Sequence, residues 1–575
     1  MRDPRYAPRR LDVERRPDGS ILLHNPTPVP QAFRTALDAL DHWAVATPDA
    51  PWLAERSGDG WRIVTYGEAR DRIEAITGGL ADMGLIGEAP MLILARNGVD
   101  HALIAFAAMS LGMPIAAVSP QYGLAGADRS RLAHAVDLLA PGSVYVDDAA
   151  AFAGALDAEF LTGTPVIAGR NGRGGDTSLA ALLRTEPIRA RPAPDAIAKL
   201  LLTSGSTGAP KAVMCLHAAV AANAAQVAAC YDDPEPPVVV NQAPWSHSLG
   251  ANAILQMVLH RGGVLYIDAG APTAGRQGET VRNLRQIAPT YHNMVPAGWD
   301  LLAAELERDD ALARTFFSRV RVMQYGGAAL GQSTCDRIQA VAVRTVGETI
   351  SFASGYGATE TGPTATNVHW PNRTMGLMGL PVPGTTVKLV PAQGRLEFRV
   401  KGPQLSAGYY RNPAATAAAF DDEGFYQLGD AARLIDPGDL TQGLAFDGRL
   451  SENFKLASGT FVNVGALRVA AVSAIGGAAS DAIVCGENQS GVGLLVFRAA
   501  SGRDDDIRTG LERYNKTAAG GARIARALIL ADAPHAHSGE ITDKGYINQT
   551  LARVRRAADI AALFADPAGP AVLTF

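Results

Sequence analysis

The sequence predicts an α/β protein: a large N-terminal domain of parallel α/β sheets with a β-rich subdomain, followed by a small α+β domain. Three observations predict it. From residue 60 onward strand-like and helix-like patterns alternate, as in parallel sheets covered by helices. Several strands read as short, continuously apolar runs, as strands buried on both faces do. Near Val387 the pattern changes to short β-type runs broken by Pro and Gly, and 575 residues are too many for one hydrophobic core.

Residues 1–30 read as an irregular extension with a short strand at 20–23 (SILL). Phe33, Leu37, Leu40, Trp43 and Ala44 fall at helical spacing and predict a helix over 32–46. A strand at 61–66 and an amphipathic helix at 67–83 follow. Buried strands are predicted at 90–95 (PMLILA), 143–146 (SVYV), 199–202 (KLLL), 263–267 (GVLYI) and 320–325 (VRVMQY). The most apolar stretch, 101–118, carries Ser110, Gly112 and Pro114, so it reads as a buried helix turning into a strand and not as a membrane span. Residues 169–176, rich in Gly and Arg, read as an exposed loop. The β-rich part includes 387–390 and 395–400. The first domain is placed at 1–450 and the second at 451–575, with strands at 482–485, 493–497 and 526–530 and helices between them.

Composition excludes several classes. Charged residues at 19% and hydrophobic residues at 47% describe a soluble globular chain. A net charge of -5 gives no basic stripe for nucleic acid. Four scattered cysteines without a CxxC pair argue against a zinc site or disulfide framework and fit a reducing cytoplasm. The arginine-rich first ten residues lead into no apolar signal core.

The most informative stretch is 201–214, LLTSGSTGAPKAVM. An apolar run feeds a loop of Thr203, Ser204, Gly205, Ser206, Thr207 and Gly208, then Pro210 and Lys211. Glycines let backbone N–H groups converge on a bulky anion, hydroxyls add donors, and the lysine adds mobile positive charge. This is a phosphate cradle. It is not the P-loop of nucleotide hydrolases, in which Ser or Thr follows Gly-Lys directly. A Ser/Gly linker is the bland alternative, but linkers seldom sit directly behind a hydrophobic strand.

A second stretch, 354–362 (SGYGATETG), sets Tyr356, Gly357, Ala358, Thr359 and Glu360 together. The tyrosine offers a face for a purine, the threonine a hydroxyl for phosphate, and the glutamate a hard oxygen ligand for Mg2+. Residues 244–252 (PWSHSLGAN) place His247 between hydroxyl groups; alone it reads as a structural histidine, beside the other motifs as a pocket wall. Residues 325–331 (YGGAALG) read as a strand ending in a turn of small residues, against which a flat ring can lie. Asp430 in YQLGDAAR can accept both hydroxyls of a ribose, and Arg449 in FDGRLSENFK can donate to ribose or phosphate. Alone, each of these two is a commonplace turn residue.

Together, and in this order, these stretches resemble the adenylate-forming superfamily of acyl- and aryl-CoA ligases, luciferases and peptide-synthetase adenylation domains. The resemblance is broadest to the feruloyl-CoA synthase branch, through RRPDGSILL, WAVATPDAPWLAER, GVDHALIAFAAM, SPQYGL, FKLASGTFVNVGALR and GEITDKG. It implies an aryl- or acyl-CoA ligase using ATP, Mg2+ and coenzyme A on a carboxylic acid, with ferulate or another hydroxycinnamate as the first expectation and another aromatic or medium-chain acid as the alternative. It implies phosphate contacts from residues 203–208 and Lys211, metal contacts from Glu360 and Thr203, and adenine contacts from Ala328 and Ala329. It puts His247 and Gly327 beside the acid, makes Asp430, Arg449 and Lys455 the last nucleotide contacts, and gives Ser458 and Gly459 to the CoA channel. It further implies a mobile C-terminal domain turning about Ser451, where the family usually has a charged residue. The family's catalytic lysine usually lies four places after a threonine; that place here is Tyr546, and Lys544 is the nearest candidate. Thr203, Glu360, Arg449 and Lys544 are thus the expected catalytic set. No carrier-domain segment follows, against a peptide-synthetase domain. A nucleotide-binding homologue without ligase activity is the other class in view. The expected partners are small molecules only, with no nucleic acid and no membrane, and room is left for a homodimer.

Overall fold

Apolar runs of four or five residues bury both faces of a strand, so the sheets they form must lie under helices on both sides. The computed structural model of the chain follows that rule and describes every residue except 31, 204–209, 274, 328–329, 393, 451, 500–501, 535–539 and 542–546. A seven-stranded sheet runs in the order Lys211–Leu216, Ile197–Thr203, Ile115–Ala117, Met91–Leu94, Ser143–Val146, Val166–Ala168, Thr177–Ser178. Its neighbours are parallel except the first two, which run antiparallel with Thr203 opposite Lys211. The helix Val99–Ser110 is buried at every residue but Asp100 and leads into the strand Ile115–Ala117, as the apolar stretch there predicts. Among the described residues no helix is long and apolar enough to cross a membrane. A four-stranded sheet, Val238–Asn241, Val264–Ile267, Pro51–Ser57 and Gly60–Thr65, packs beside the first.

The third sheet holds the β-rich part and is continuous with parallel strands. Its strands, among them Thr386–Ala392, Arg395–Lys401, Tyr426–Leu434 and Leu444–Arg449, continue through Leu377–Pro381 and Thr366–Asn367 into the parallel strands Ser351–Tyr356, Val322–Tyr325 and Tyr291–Met294, giving eleven strands. The two-residue strand Thr366–Asn367 makes the join by pairing antiparallel with a neighbour on each side. It is too short to leave a periodic signal in the sequence. Asp12–Arg15, fully exposed on the far edge, also went unexpected for lack of an apolar residue on alternate positions. The first helix begins at Ala36 and not at residue 32, because Thr35 caps it: its hydroxyl accepts from Asp38 N while the Asp38 carboxylate accepts from Thr35 N.

The C-terminal part has its own sheet, Ala479–Cys485, Val492–Arg498, Ile524–Leu530 and Val572–Thr574. Strand alternation divides its core. Ala482 and Val484 face the helices Val464–Ile475 and Asp504–Asn515, while Ile483 and Cys485 face Gln549–Arg555 and Ala557–Phe564. All four cysteines of the chain are free and buried.

Under the parallel end of the eleven-stranded sheet, Trp299 is fully buried. Its indole N–H donates to the carbonyl of Gln324 at 3.0 Å, and Phe352 meets its ring edge-on at 5.0 Å. Trp299→Ala therefore removes a large packed ring and a buried donor together. The expected cost is about 3–5 kcal/mol, read as a lowered midpoint in urea unfolding of the full chain.

Candidate active site

Antiparallel pairing of Thr203 with Lys211 brings the two ends of the predicted phosphate-binding stretch to one ladder step. The Thr203 hydroxyl reaches the Lys211 carbonyl at 3.5 Å, and Pro210 O accepts from, or faces, His134 Nε2 at 3.1 Å. Ser204, Gly205, Ser206, Thr207 and Gly208, the predicted cradle itself, lie outside the described residues. The Lys211 ammonium stands 4.7 Å over the ring of Tyr409. The same tyrosine donates its hydroxyl to Glu360 Oε1 at 2.9 Å, and a second tyrosine, Tyr426, stands 3.1 Å from the Tyr409 hydroxyl. Lys211, Tyr409 and Glu360 thus form one line of contacts. Glu360 is 8% exposed. Burial and the neighbouring carboxylate push both tyrosine hydroxyls up, so they stay protonated and able to donate.

Glu360 sits in the short turn Thr359–Thr361, just past the strand Ser351–Tyr356. Gly357 permits that exit: a Cβ there would stand 2.1 Å from the Pro363 carbonyl oxygen. Tyr356 points its hydroxyl at Asp430 Oδ2, with its ring packed edge-on against Phe398 and 6.0 Å from Phe446. Asp430 and Arg449 are cross-strand partners, and Arg449 Nε lies 3.4 Å from Asp430 Oδ1. The sequence separation of these two residues is therefore a hairpin register, which puts them side by side. The structure brings Tyr356, Asp430 and Arg449 into one cluster and Lys211, Tyr409 and Glu360 into another, with Tyr356 and Glu360 four residues apart on one turn.

His247 precedes a π-turn, Leu249–Ile254, that sequence patterns did not foretell. Gly250 is required inside it, since a Cβ would stand 2.4 Å from the Ala243 carbonyl oxygen. Ser248 shares a hydrogen bond with Thr359 at 3.2 Å, tying this segment to the Glu360 turn. Gly327 holds φ +84°, with Val295 3.7 Å from where its Cβ would be; Ala328 and Ala329 lie outside the described residues.

Lys455, exposed, starts a small hairpin, Phe454–Lys455 with Phe461–Val462. Its tip holds Ser458, whose hydroxyl donates to Thr460 Oγ1 at 2.8 Å, and Gly459 at φ +80°. Just beyond, Asn463 Nδ2 donates to Asp447 Oδ1 at 3.0 Å, and Arg395 lies 4.7 Å over the Phe461 ring while donating to Asp447 O at 2.6 Å. Ser451 and Lys544 lie outside the described residues. The flanks of Lys544 are anchored: Ile541 and Ile547 form a bridge, and Glu540, 3% exposed, is held by Arg556 at 2.7 Å.

Sequence reasoning missed Tyr409, Tyr426 and Glu452. The tyrosines carry no motif of their own; a paired aromatic after glycine in SAGYYRN was the available signal. Glu452 lies within the fields of Arg449 and Asp430, and burial raises its carboxyl above the usual glutamate value. Among the described residues no cluster of three His, Cys, Asp or Glu side chains is placed to hold a metal.

Two outcomes follow from these contacts. Tyr409→Phe removes the 2.9 Å donor to buried Glu360 and is expected to lower stability by about 1–3 kcal/mol in thermal or urea unfolding. For Glu452 the folded carboxyl binds its proton more tightly than the unfolded one, so its contribution to stability falls as pH rises from 4.5 through the raised folded value. Glu452→Gln is therefore expected to melt higher than the parent at pH 7.5, with the difference closing below pH 4.5.

Residues 40–410 match the AMP-binding enzyme family, and residues 470–568 match the AMP-binding enzyme C-terminal domain. The chain is 25% identical over 516 residues to 4-coumarate–CoA ligase 5 of Oryza sativa subsp. japonica, covering 84% of this chain and 88% of that protein. It is 27% identical over 510 residues to a carboxylic acid reductase of Mycobacterium marinum, spanning 76% of this chain but 41% of the reductase. Among solved structures, the A domain of carboxylic acid reductase from Segniliparus rugosus, in complex with AMP and a co-purified carboxylic acid, superimposes with a TM-score of 0.75 at 20% identity, over 94% of this chain and 95% of that one. The anthranilate CoA ligase AuaEII, in complex with anthranoyl-AMP, also gives 0.75, at 16% identity over 92% and 98%. The fold, with its large N-terminal and smaller C-terminal domain, is that of these adenylating enzymes. With most of its length matched on both sides of residue 450, the chain belongs to the AMP-binding enzyme family.

Proposed function

We propose that the protein is an ATP-dependent acid–thiol ligase that adenylates an aromatic acid, a hydroxycinnamate such as ferulate first, and passes the acyl group to coenzyme A. The observation that carries this reading is the pair of clusters joined by the Tyr356–Glu360 turn: Lys211, Tyr409 and Glu360 on one side, Tyr356, Asp430 and Arg449 on the other. One suits a polyphosphate and its cation, the other a ribose beside a purine.

A carboxylate resists attack because of its own charge, so it is first made a mixed anhydride. Its oxygen attacks the α-phosphorus of ATP, the bond to the bridging oxygen breaks, and pyrophosphate leaves. Residues 203–208 and Lys211 would hold the β- and γ-phosphates. Asp430 would accept from the ribose hydroxyls, with Arg449 beside it and Lys455 at the edge, while Ala328, Ala329 and Tyr356 flank adenine. Glu360, a buried carboxylate oriented by the Tyr409 hydroxyl, fits a hard divalent cation, and it and the Thr203 hydroxyl would hold Mg2+. That ion supplies neutralisation of the charge on the departing pyrophosphate. Lys544 would lie between carboxylate and α-phosphate and offset the repulsion of two anions.

In the second step the CoA thiol attacks the acyl carbon and AMP leaves. The domain comprising residues 451–575 would turn about Ser451 between the steps, withdrawing Lys544 and presenting Ser458 and Gly459 to the pantetheine arm. His247 and Gly327 would border the acid. The locale is cytoplasmic.

The test is pyrophosphate release with ATP, Mg2+ and a panel of aromatic and aliphatic acids, with and without CoA. Release that depends on hydroxycinnamates and rises with CoA is expected. Failure of every acid in the panel to give release would sink the reading and favour a nucleotide-binding homologue. Lys544→Ala is expected to slow adenylation about a hundredfold while leaving transfer from preformed acyl-AMP to CoA nearly intact.

A further inference from the structure

The strand that leads into the phosphate loop carries a lysine in its interior. Lys199 stands four residues before Thr203 and is 3% exposed. Buried ammonium groups normally meet a carboxylate, because an uncompensated buried charge is costly. Among the described residues Lys199 has no carboxylate within ion-pair distance. Its Nζ donates instead to Ala251 O at 2.8 Å and to Asn252 Oδ1 at 3.0 Å. Both acceptors belong to the π-turn Leu249–Ile254.

A π-turn winds wider than an α-helix, is rare, and is concentrated at functional sites. This one begins directly after His247 and Ser248. Ser248 reaches Thr359, and the Leu249 side chain lies 3.5 Å from where a Cβ on Gly326 would stand. Asn252 also turns its amide nitrogen to Cys215 Sγ at 3.8 Å, on the strand that returns from the phosphate loop. Beneath the turn, close packing is incomplete. A cavity of about 20 Å³, lined by Lys199, His101, Phe106, Met109, Trp245 and Leu255 among others, leaves room for about one water molecule. The turn is therefore held from below by two hydrogen bonds as well as by the buried Ala251 and Ile254.

We propose that Lys199 is a positioning residue for the acid substrate: it ties the strand of the phosphate loop to the π-turn and so sets the wall of His247, Ser248 and Leu249 against Gly326 and Thr359. This rests on the reading above that the wall borders the acid. Lys199 touches no reacting atom. It acts through the turn, and a shift of the wall by a fraction of an ångström moves the carboxylate relative to a phosphorus held separately by the loop.

The experiment is acid-dependent ATP–pyrophosphate exchange by the full chain, with KM determined separately for acid and ATP and melting recorded alongside. Wild type comes first: absence of acid-dependent exchange there would refute the adenylation reading itself. Given wild-type exchange, Lys199→Met is expected to raise the acid KM about tenfold with the ATP KM within about twofold, a split that general loss of stability does not produce. Lys199→Arg, which keeps charge and donors, is expected to recover most of that loss. A folded Lys199→Met enzyme with unchanged acid KM, or with both KM values raised by one factor, would overturn the proposal. If Lys199→Met does not fold, Asn252→Leu removes one acceptor and carries the same expectation; an unchanged acid KM in that variant would overturn it equally.

Discussion

Reversal of one strand is the constraint on which the site depends. The seven-stranded sheet is parallel until Ile197–Thr203, where the chain turns back antiparallel as Lys211–Leu216. A parallel successor would have needed a crossover of a dozen residues or more, and the loop would have opened onto a helix. Here Thr203 and Lys211 face each other across one ladder step, so whatever the loop holds is held between fixed posts. The return strand then meets Tyr409 through an isolated bridge at Val213, which brings the second tyrosine-bearing segment under Lys211.

Continuity of the eleven-stranded sheet does the rest. Ligands in open parallel sheets gather beyond the carboxyl ends of the strands. Gly327 and the Tyr356–Glu360 turn lie there, past Val322–Tyr325 and Ser351–Tyr356. Because the same sheet runs on into antiparallel hairpins, Asp430 and Arg449 arrive side by side, with the Tyr356 hydroxyl on the Asp430 carboxylate.

Much of this was legible in the sequence. Continuous apolar runs such as MLIL and SVYV found their strands because burial on both faces leaves a pattern that nothing in solvent imitates. Glu360, Asp430 and Arg449 were legible as residue types, but their neighbours were not. Tyr409 supports Glu360 from a distant segment, and a contact made only by folding leaves no local periodicity. The π-turn was hidden because LGANAI is compatible with an ordinary helix; the Lys199 hydrogen bonds to it and the close approach of Gly250 to the Ala243 carbonyl are contacts made only on folding. The eleven-stranded sheet was read as two parts because its join is two residues long.

Burial of the four thiols has a chemical corollary. Desolvation pushes Cys215 up to about 11 and Cys230, Cys335 and Cys485 to about 12, so none ionises at neutral pH. Cys215 lies on the strand Lys211–Leu216, with the Asn252 amide nitrogen 3.8 Å from its sulfur. A thiolate there would compete with an incoming thiol and trap the acyl group as a dead-end thioester on the protein. Kept protonated and enclosed, it is a poor nucleophile, and under the proposed reaction it would not be acylated by the intermediate.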